Sequence, residues 1–158
     1  MKAWIIAAVA ALAIAAYVVF KPAVAPQVQF ATLAGTSFSI ADLRGKVVLV
    51  NFWATWCADC IKEMPKMIET HRKYAPRGYE VVAVAVQSDN PQQVAQFTQR
   101  RDLPFKVALD TTGEVARSFG RVRVTPVSVL IDRHGHIVKR YVGEPDWAEL
   151  HAQVEKLL

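Results

Sequence analysis

The chain has 158 residues, a formal net charge of +5 at pH 7 and two cysteines. This length allows one globular domain with an extension, and two cysteines cannot build the disulfide framework of a small secreted scaffold. The basic residues are scattered along the chain, without a block of five or six, which argues against nucleic acid as a partner.

The N-terminal residues 3–20 contain no charged side chain and lie between Lys2 and Lys21. As a helix this segment would rise about 27 Å, just short of a hydrocarbon core of about 30 Å. We therefore predict an anchor in the bacterial inner membrane, with the rest of the chain in the periplasm because the positive charge precedes the apolar run. The alternative is a signal peptide cleaved after Ala25, although Pro26 would then follow the cut.

We assign residues 1–21 to this N-terminal membrane or signal segment. The residues that follow predict a linker at 22–29 and one domain at 30–158, which begins with a small hairpin. Continuous apolar runs predict buried strands, and caps with 3.6-residue periodicity predict helices. The order predicts a mixed sheet between helices, an α/β fold. The predicted strands are Val47–Phe52, Tyr79–Val86, Lys106–Leu109, Val127–Ile131 and Ile137–Val142, and the predicted helices are Cys57–Tyr74, Pro91–Arg101, Glu114–Phe119 and Asp146–Leu158.

Both cysteines, Cys57 and Cys60, lie where the first buried strand gives way to a helix. A zinc site would need about four ligands, and the four histidines are scattered through the chain. A purely structural disulfide across so short a loop would restrict little chain entropy. A redox pair fits better, because free N–H groups at a helix N-terminus favour the thiolate of Cys57.

Several motifs resemble the thioredoxin superfamily, and more narrowly the membrane-anchored TlpA/ResA-type proteins. They are Phe52-Trp-Ala-Thr-Trp-Cys-x-x-Cys60, Lys62-Glu-Met-Pro65, Thr125-Pro126 and Leu130-Ile-Asp-x-x-Gly-x-Ile137. The resemblance covers residues 30–158 and implies a thioredoxin-like fold, with a mixed central sheet flanked by helices. It implies a disulfide oxidoreductase that needs no cofactor beyond its own thiols.

The resemblance also implies roles for individual residues. Cys57 would attack a substrate disulfide and Cys60 would resolve the mixed disulfide. Pro126 would be a cis-proline facing the cysteines, and the backbone of Thr125 would pair with an extended substrate. Trp56 would form the lip of the substrate site.

Three further positions bear on proton transfer and on the direction of electron flow. Glu63 follows Cys60 by three residues on the same helix face, and could exchange a proton with it. Many thioredoxins carry a buried acid six residues before the first cysteine, but here that position is Asn51, which does not titrate. Asp59 opposes a thiolate at Cys57, which favours an electron-donating protein.

These observations predict a membrane-tethered periplasmic reductase of protein disulfides, supplied with electrons by a membrane-embedded donor. The resemblance makes the haem-site cysteines of apocytochrome c, or a copper-delivery protein, its candidate substrates. The alternatives are an oxidase that introduces disulfides, a thiol peroxidase, and a metallochaperone that binds Cu(I) through both cysteines. The peroxidase is disfavoured because Thr55-Trp-Cys57 does not match the usual peroxidatic pattern, and the chaperone because no Met- or His-rich tract accompanies the thiols.

Overall fold

The structure, a computed structural model, describes residues 22–158. The strands are β1 (Gln29–Thr32), β2 (Ser37–Ser39), β3 (Val47–Trp53), β4 (Tyr79–Ala85), β5 (Lys106–Leu109), β6 (Val127–Ile131) and β7 (Ile137–Val142). The helices are α1 (Ala58–Tyr74), α2 (Pro91–Arg101), α3 (Glu114–Ser118) and α4 (Trp147–Leu157). Each predicted helix and strand is therefore confirmed, with bounds that differ by at most one residue at an end.

The seven strands form one mixed sheet in the order β2-β1-β5-β4-β3-β6-β7. The three central strands β5, β4 and β3 are parallel, whereas β1, β2, β6 and β7 pair antiparallel to their neighbours. Every residue of β3 and β4 is buried, as expected for central strands covered on both faces. The predicted thioredoxin-like α/β architecture is confirmed for the described part of the chain.

Side chains alternate between the two faces of β3, and this alternation divides the core. Leu49 and Trp53 belong to a cluster with residues of α1, α2 and α4. Val50 and Phe52 belong to a second cluster with residues of α3 and the β1–β2 hairpin. Asn51 has the parity of Leu49 and Trp53, so its amide points toward the α1 face.

The helix termini follow from local sequence. Asn90 caps α2, since its side chain accepts hydrogen bonds from the backbone of Gln92 and Gln93, and Pro91 occupies the first helical position. Asp146 caps α4 in the same manner through the backbone N–H of Glu149. These caps satisfy backbone N–H groups in the first turn of each helix, which define where the helices begin.

The predicted linker at 22–29 is packed against the domain over most of its length. Val24 forms an antiparallel bridge with His136, and the backbone N–H of Ala25 donates to the carbonyl of Gly135 at 2.9 Å. Ala25 and Val28 are buried, so residues 24–28 belong to the folded unit rather than to a free linker, and β1 begins at Gln29.

The predicted membrane segment at 3–20 lies outside the described residues. Within residues 22–158, no helix combines the length and the apolar character that crossing a membrane would require.

Candidate active site

The two cysteines form a disulfide at the N-terminus of α1, with their Cα atoms 5.3 Å apart. Cys57 is the N-cap residue, and its Sγ accepts a hydrogen bond from the backbone N–H of Cys60 at 3.2 Å. Cys57 is 7% exposed and Cys60 is fully buried. The predicted position of Cys57 at a helix N-terminus is confirmed, and of the two cysteines Cys57 alone has exposed surface.

The peptide bond between Thr125 and Pro126 is cis, as predicted. The next residue, Val127, pairs with Phe52 on β3, which places Pro126 beside the end of β3 from which the cysteine loop departs. Within residues 22–158, the backbone of Arg123, Val124 and Thr125 forms no hydrogen bond. This strip of chain therefore has free donors and acceptors next to the disulfide.

Trp56 precedes Cys57 directly and is 60% exposed. A tryptophan ring that is open to water beside a reactive sulfur offers a flat apolar surface for contact with a second molecule. Trp53, three residues earlier, is fully buried against Phe97, with ring centroids 5.2 Å apart. The two tryptophans of the motif thus have different environments, one at the surface and one in the core.

Glu63 is 1% exposed and lies one helical turn after Cys60. Its Oε1 accepts a hydrogen bond from Asn51 Nδ2 at 2.9 Å, and no partner within the described chain reaches its Oε2. Burial raises the pKa of Glu63 to about 7; the Asn51 hydrogen bond opposes that rise, and the charges of Glu144 and Asp59 add to it. The carboxyl group can therefore gain or lose a proton near neutral pH.

Asn51 extends this polar cluster to β6, because its Nδ2 also donates to Ser128 Oγ at 3.0 Å. Asn51 and Ser128 are directly opposed in the β3–β6 ladder, and both are buried. Sequence reasoning missed Ser128. The strand register would have identified it, because only the pairing places its hydroxyl opposite Asn51.

Asp89 is a second residue that sequence reasoning missed. Its carboxylate accepts hydrogen bonds from the backbone N–H and the hydroxyl of Thr55, both at 2.6 Å, and from the N–H of Asn90 at 2.8 Å. Asp89 thereby fastens the loop that carries Trp56 and Cys57 to the end of the central sheet. The available signal in the sequence was an aspartate between a Val-rich strand and the helix cap at Asn90.

A groove of about 780 Å³ extends from Trp56 and Thr125 toward α3. Arg117, Arg121 and Arg123 are among the residues that line it. Arg121 and Arg123 lie just upstream of Pro126 in the sequence, and the structure places both in the lining of the groove; it adds Arg117, which sequence reasoning missed. No local pattern pointed to Arg117, because the helix ends at Ser118 and Gly120 and Arg121 have positive φ, so helical spacing does not relate positions 117 and 121.

Comparisons with known proteins agree with this geometry. The Redoxin family model matches residues 21–158. Thiol-disulfide oxidoreductase ResA of Bacillus thuringiensis is 35% identical over 133 residues, which are 84% of this chain and 76% of that protein. ResA of Geobacillus thermodenitrificans is 33% identical over 84% of this chain and 75% of its own length.

Among solved structures, a thiol:disulfide interchange protein of the thioredoxin family from Chlorobium tepidum superposes with a TM-score of 0.78 at 31% identity, covering 87% of this chain and 97% of that one. That structure shares the fold of this chain, and the ResA proteins share its sequence over most of its length. The chain therefore belongs to the Redoxin family, as a ResA-like thiol-disulfide oxidoreductase of the thioredoxin superfamily.

Proposed function

We propose that the protein reduces disulfides of other proteins in the periplasm while tethered to the inner membrane by residues 3–20. In the reduced form, the Cys57 thiolate attacks one sulfur of a substrate disulfide and the other sulfur leaves as a thiolate, which takes up a proton. Cys60 then loses its proton and attacks Cys57 Sγ. The second substrate sulfur leaves, and two electrons have passed to the substrate while the Cys57–Cys60 disulfide forms.

The unequal access of the two sulfurs is the observation that carries this proposal. The substrate can meet only Cys57, since Cys60 is fully buried beneath it. The resolving attack is then intramolecular and begins from a thiol that has no contact with solvent. A nearby proton acceptor is required, because only the thiolate is a nucleophile.

Glu63 is the proposed acceptor of the Cys60 proton. It lies one turn further along α1, is as buried as Cys60, and has a pKa of about 7. A carboxyl group with that pKa is poised to accept a proton and to release it again near neutral pH. Asn51 holds Glu63 in place through its amide and does not itself titrate.

Two carboxyl groups support the reducing direction. Asp59 lies between the cysteines in the sequence, and Glu63 is buried one turn after Cys60. A negative charge on either carboxyl group disfavours the negative charge of a Cys57 thiolate. A less stable thiolate makes the reduced form a better electron donor. Arg121 and Arg123 act in the opposite sense, but they are exposed and therefore screened by water and salt.

Substrate contacts are proposed for Trp56, Thr125 and Pro126. An extended substrate strand would pair with the free backbone groups at Thr125, pack over Pro126 and contact the exposed indole of Trp56. The substrates in this proposal are haem-site cysteines of apocytochrome c or the cysteines of a copper-delivery protein. A membrane-embedded thiol donor would reduce the Cys57–Cys60 disulfide again.

The direction is tested by a redox titration of the full chain, purified in mild detergent, against glutathione buffers, together with insulin reduction. A reductase should have a potential near the thioredoxin value of about −270 mV, and a potential near the strong-oxidant value of about −120 mV would overturn the assignment in favour of the oxidase. Asp59→Asn should raise the potential, because it removes the charge that opposes the thiolate. An unchanged potential would contradict that explanation.

The tether is tested separately by fractionation and by N-terminal sequencing of the mature protein. An anchored protein should remain with the membrane after a high-salt wash and retain residues 3–20. Recovery in the soluble periplasmic fraction with a new N-terminus after Ala25 would show the cleaved signal peptide instead.

A further inference from the structure

The charged residues that line the groove at Trp56 and Thr125 are all positive. Arg117, Arg121 and Arg123 line it, and no aspartate or glutamate does. Within residues 22–158, none of the three guanidinium groups forms an ion pair with a carboxylate. Three arginines that lack carboxylate partners therefore line the same groove as Trp56, the residue that precedes Cys57.

Some other arginines of the domain are engaged by the protein itself. Arg133 donates to the carbonyls of Leu157 and Leu158, and Arg77 pairs with Glu155 at 2.7 Å. In the groove, Arg117 donates one hydrogen bond to the carbonyl of Thr112 at 3.0 Å. Neither Arg121 nor Arg123 donates a side-chain hydrogen bond within the described chain.

The carboxylates closest in sequence to the groove do not neutralise it. Both oxygens of Asp110 accept hydrogen bonds from the first turn of α3, at 3.1 and 2.8 Å, and Asp89 is bound to Thr55. Asp59 and Glu114 are exposed and are not part of the lining. The groove is thus cationic for whatever enters it.

The position of the groove indicates what enters. Two of its lining residues are neighbours of the site in the sequence: Trp56 precedes Cys57, and Thr125 precedes Pro126. When Cys57 attacks the disulfide of a polypeptide, the residues that flank that disulfide come close to this region. The exposed side chains of Trp56 and Val124 add apolar surface, so the lining combines apolar contact with fixed positive charge.

We infer that this groove binds an acidic segment of the substrate polypeptide, so that disulfides with aspartate or glutamate a few residues from the cysteine are preferred. Guanidinium groups suit this role because each can bind a carboxylate with two parallel hydrogen bonds. The inference rests on the proposed function, since it assigns the substrate class of the same site. It concerns recognition and holds for exchange in either direction.

The test uses three peptides that contain the same disulfide and differ only in the flanking residues, which are glutamate, glutamine or lysine. The full chain carrying Cys60→Ser is mixed with each, and the rate of mixed-disulfide formation at Cys57 is measured by mass spectrometry. Because each exposed ion pair changes an association constant by roughly 1.4- to 5-fold, the glutamate peptide should react roughly tenfold faster than the glutamine peptide. The lysine peptide should react most slowly.

The combined variant Arg117→Gln, Arg121→Gln and Arg123→Gln should lose this preference, with the rate ratio of glutamate to glutamine peptide falling to about one. Arg123→Gln alone, at an exposed residue without a side-chain hydrogen bond, should lose part of it and guards against misfolding of the combined variant. Arg100→Gln, an exposed arginine on α2 outside the groove, should keep the full ratio. The preference of the unaltered groove should also disappear between about 0.01 M and about 1 M salt.

Equal rates for the three peptides, or a preference that survives in the combined variant, would overturn the inference. The failure of the proposed function looks different. In that case the protein with both cysteines would not reduce any of the peptides at equilibrium, while mixed-disulfide formation by the Cys60→Ser variant would still reveal the charge preference.

Discussion

Replacing Glu63 with glutamine should remove a loss of stability that the protein suffers as the pH rises. The carboxyl group is 1% exposed, and only one of its oxygens has a hydrogen-bond partner within the described chain. Its pKa is about 7 in the folded protein and 4.5 in its ordinary state, which we take for the unfolded chain. Each pKa unit corresponds to about 1.36 kcal/mol, so burial of the carboxylate costs about 3 kcal/mol.

The sign follows from which state holds the proton more tightly. Below pH 4.5 the Glu63 carboxyl group is protonated in both states and makes no difference. As the pH rises toward 7 the unfolded chain releases the proton first, so the free energy of unfolding falls, and above about 7 the loss is complete. Glutamine cannot titrate, and it keeps the acceptor for Asn51.

The assay is guanidinium denaturation of the oxidised full chain, followed by tryptophan fluorescence, at about pH 5 and about pH 8. The gain in unfolding free energy caused by Glu63→Gln should be larger at the higher pH, by about 2.5 kcal/mol, because at pH 5 the unfolded chain has already released part of this proton. Glu69→Gln, at an exposed glutamate of the same helix, is the matched control and should give the same difference at both pH values. A gain from Glu63→Gln that is independent of pH would refute the reasoning, because it would show that Glu63 does not titrate in this range.

The remaining predictions concern the disulfide, its loop and the core. Cys57→Ser should abolish exchange with peptide disulfides, whereas Cys60→Ser should accumulate mixed disulfides on non-reducing gels; turnover by Cys57→Ser would show that the nucleophile is misassigned. Asp89→Asn replaces one of the two oxygens that accept hydrogen bonds from Thr55 by an NH2 group, and should lower the free energy of unfolding by about 1–3 kcal/mol. Disulfide exchange should also be slower in a stopped-flow assay. An unchanged exchange rate would show that the Asp89–Thr55 hydrogen bonds do not hold the cysteine loop in place. Leu150→Ala, at a fully buried position, should lower the free energy of unfolding by about 2–5 kcal/mol in denaturant titration and leave the redox potential of the folded protein unchanged; a changed potential would count against a purely structural role.

The parts of the fold that could be predicted are those with strong local signals. The Val-rich run Tyr79–Ala85 is short and rich in β-branched residues, which favours a buried strand. Asn90 followed by Pro91 provides an N-cap and a first helical residue for α2. The two-residue spacing of the cysteine pair at the strand–helix junction indicates a redox-active disulfide. These features depend on a few neighbouring residues, which a sequence displays directly.

The parts that could not be predicted depend on residues brought together from far along the chain. Ser128 contacts Asn51 across 77 positions, and Asp89 contacts Thr55 across 34. The burial that raises the pKa of Glu63 arises from the whole α1–sheet interface, which no helical periodicity quantifies. The arginine-lined groove likewise exists only once α3 and the strip before Pro126 are folded together.

The pairing of residues 23–25 with the β6–β7 turn has a consequence for the geometry of electron delivery. Ile137 donates to the carbonyl of Ala23, so if residues 3–20 lie in the bilayer, three residue steps of at most roughly 11 Å separate the lipid from the domain. That turn lies at the opposite end of the sheet from the disulfide, because β6 runs antiparallel to β3, and β3 alone spans about 23 Å. With so short a connection, the end of the sheet that carries the disulfide would lie well away from the lipid headgroups. A membrane-embedded donor would then need thiols that extend to that distance, or the domain would need to rotate so that the disulfide approaches the membrane.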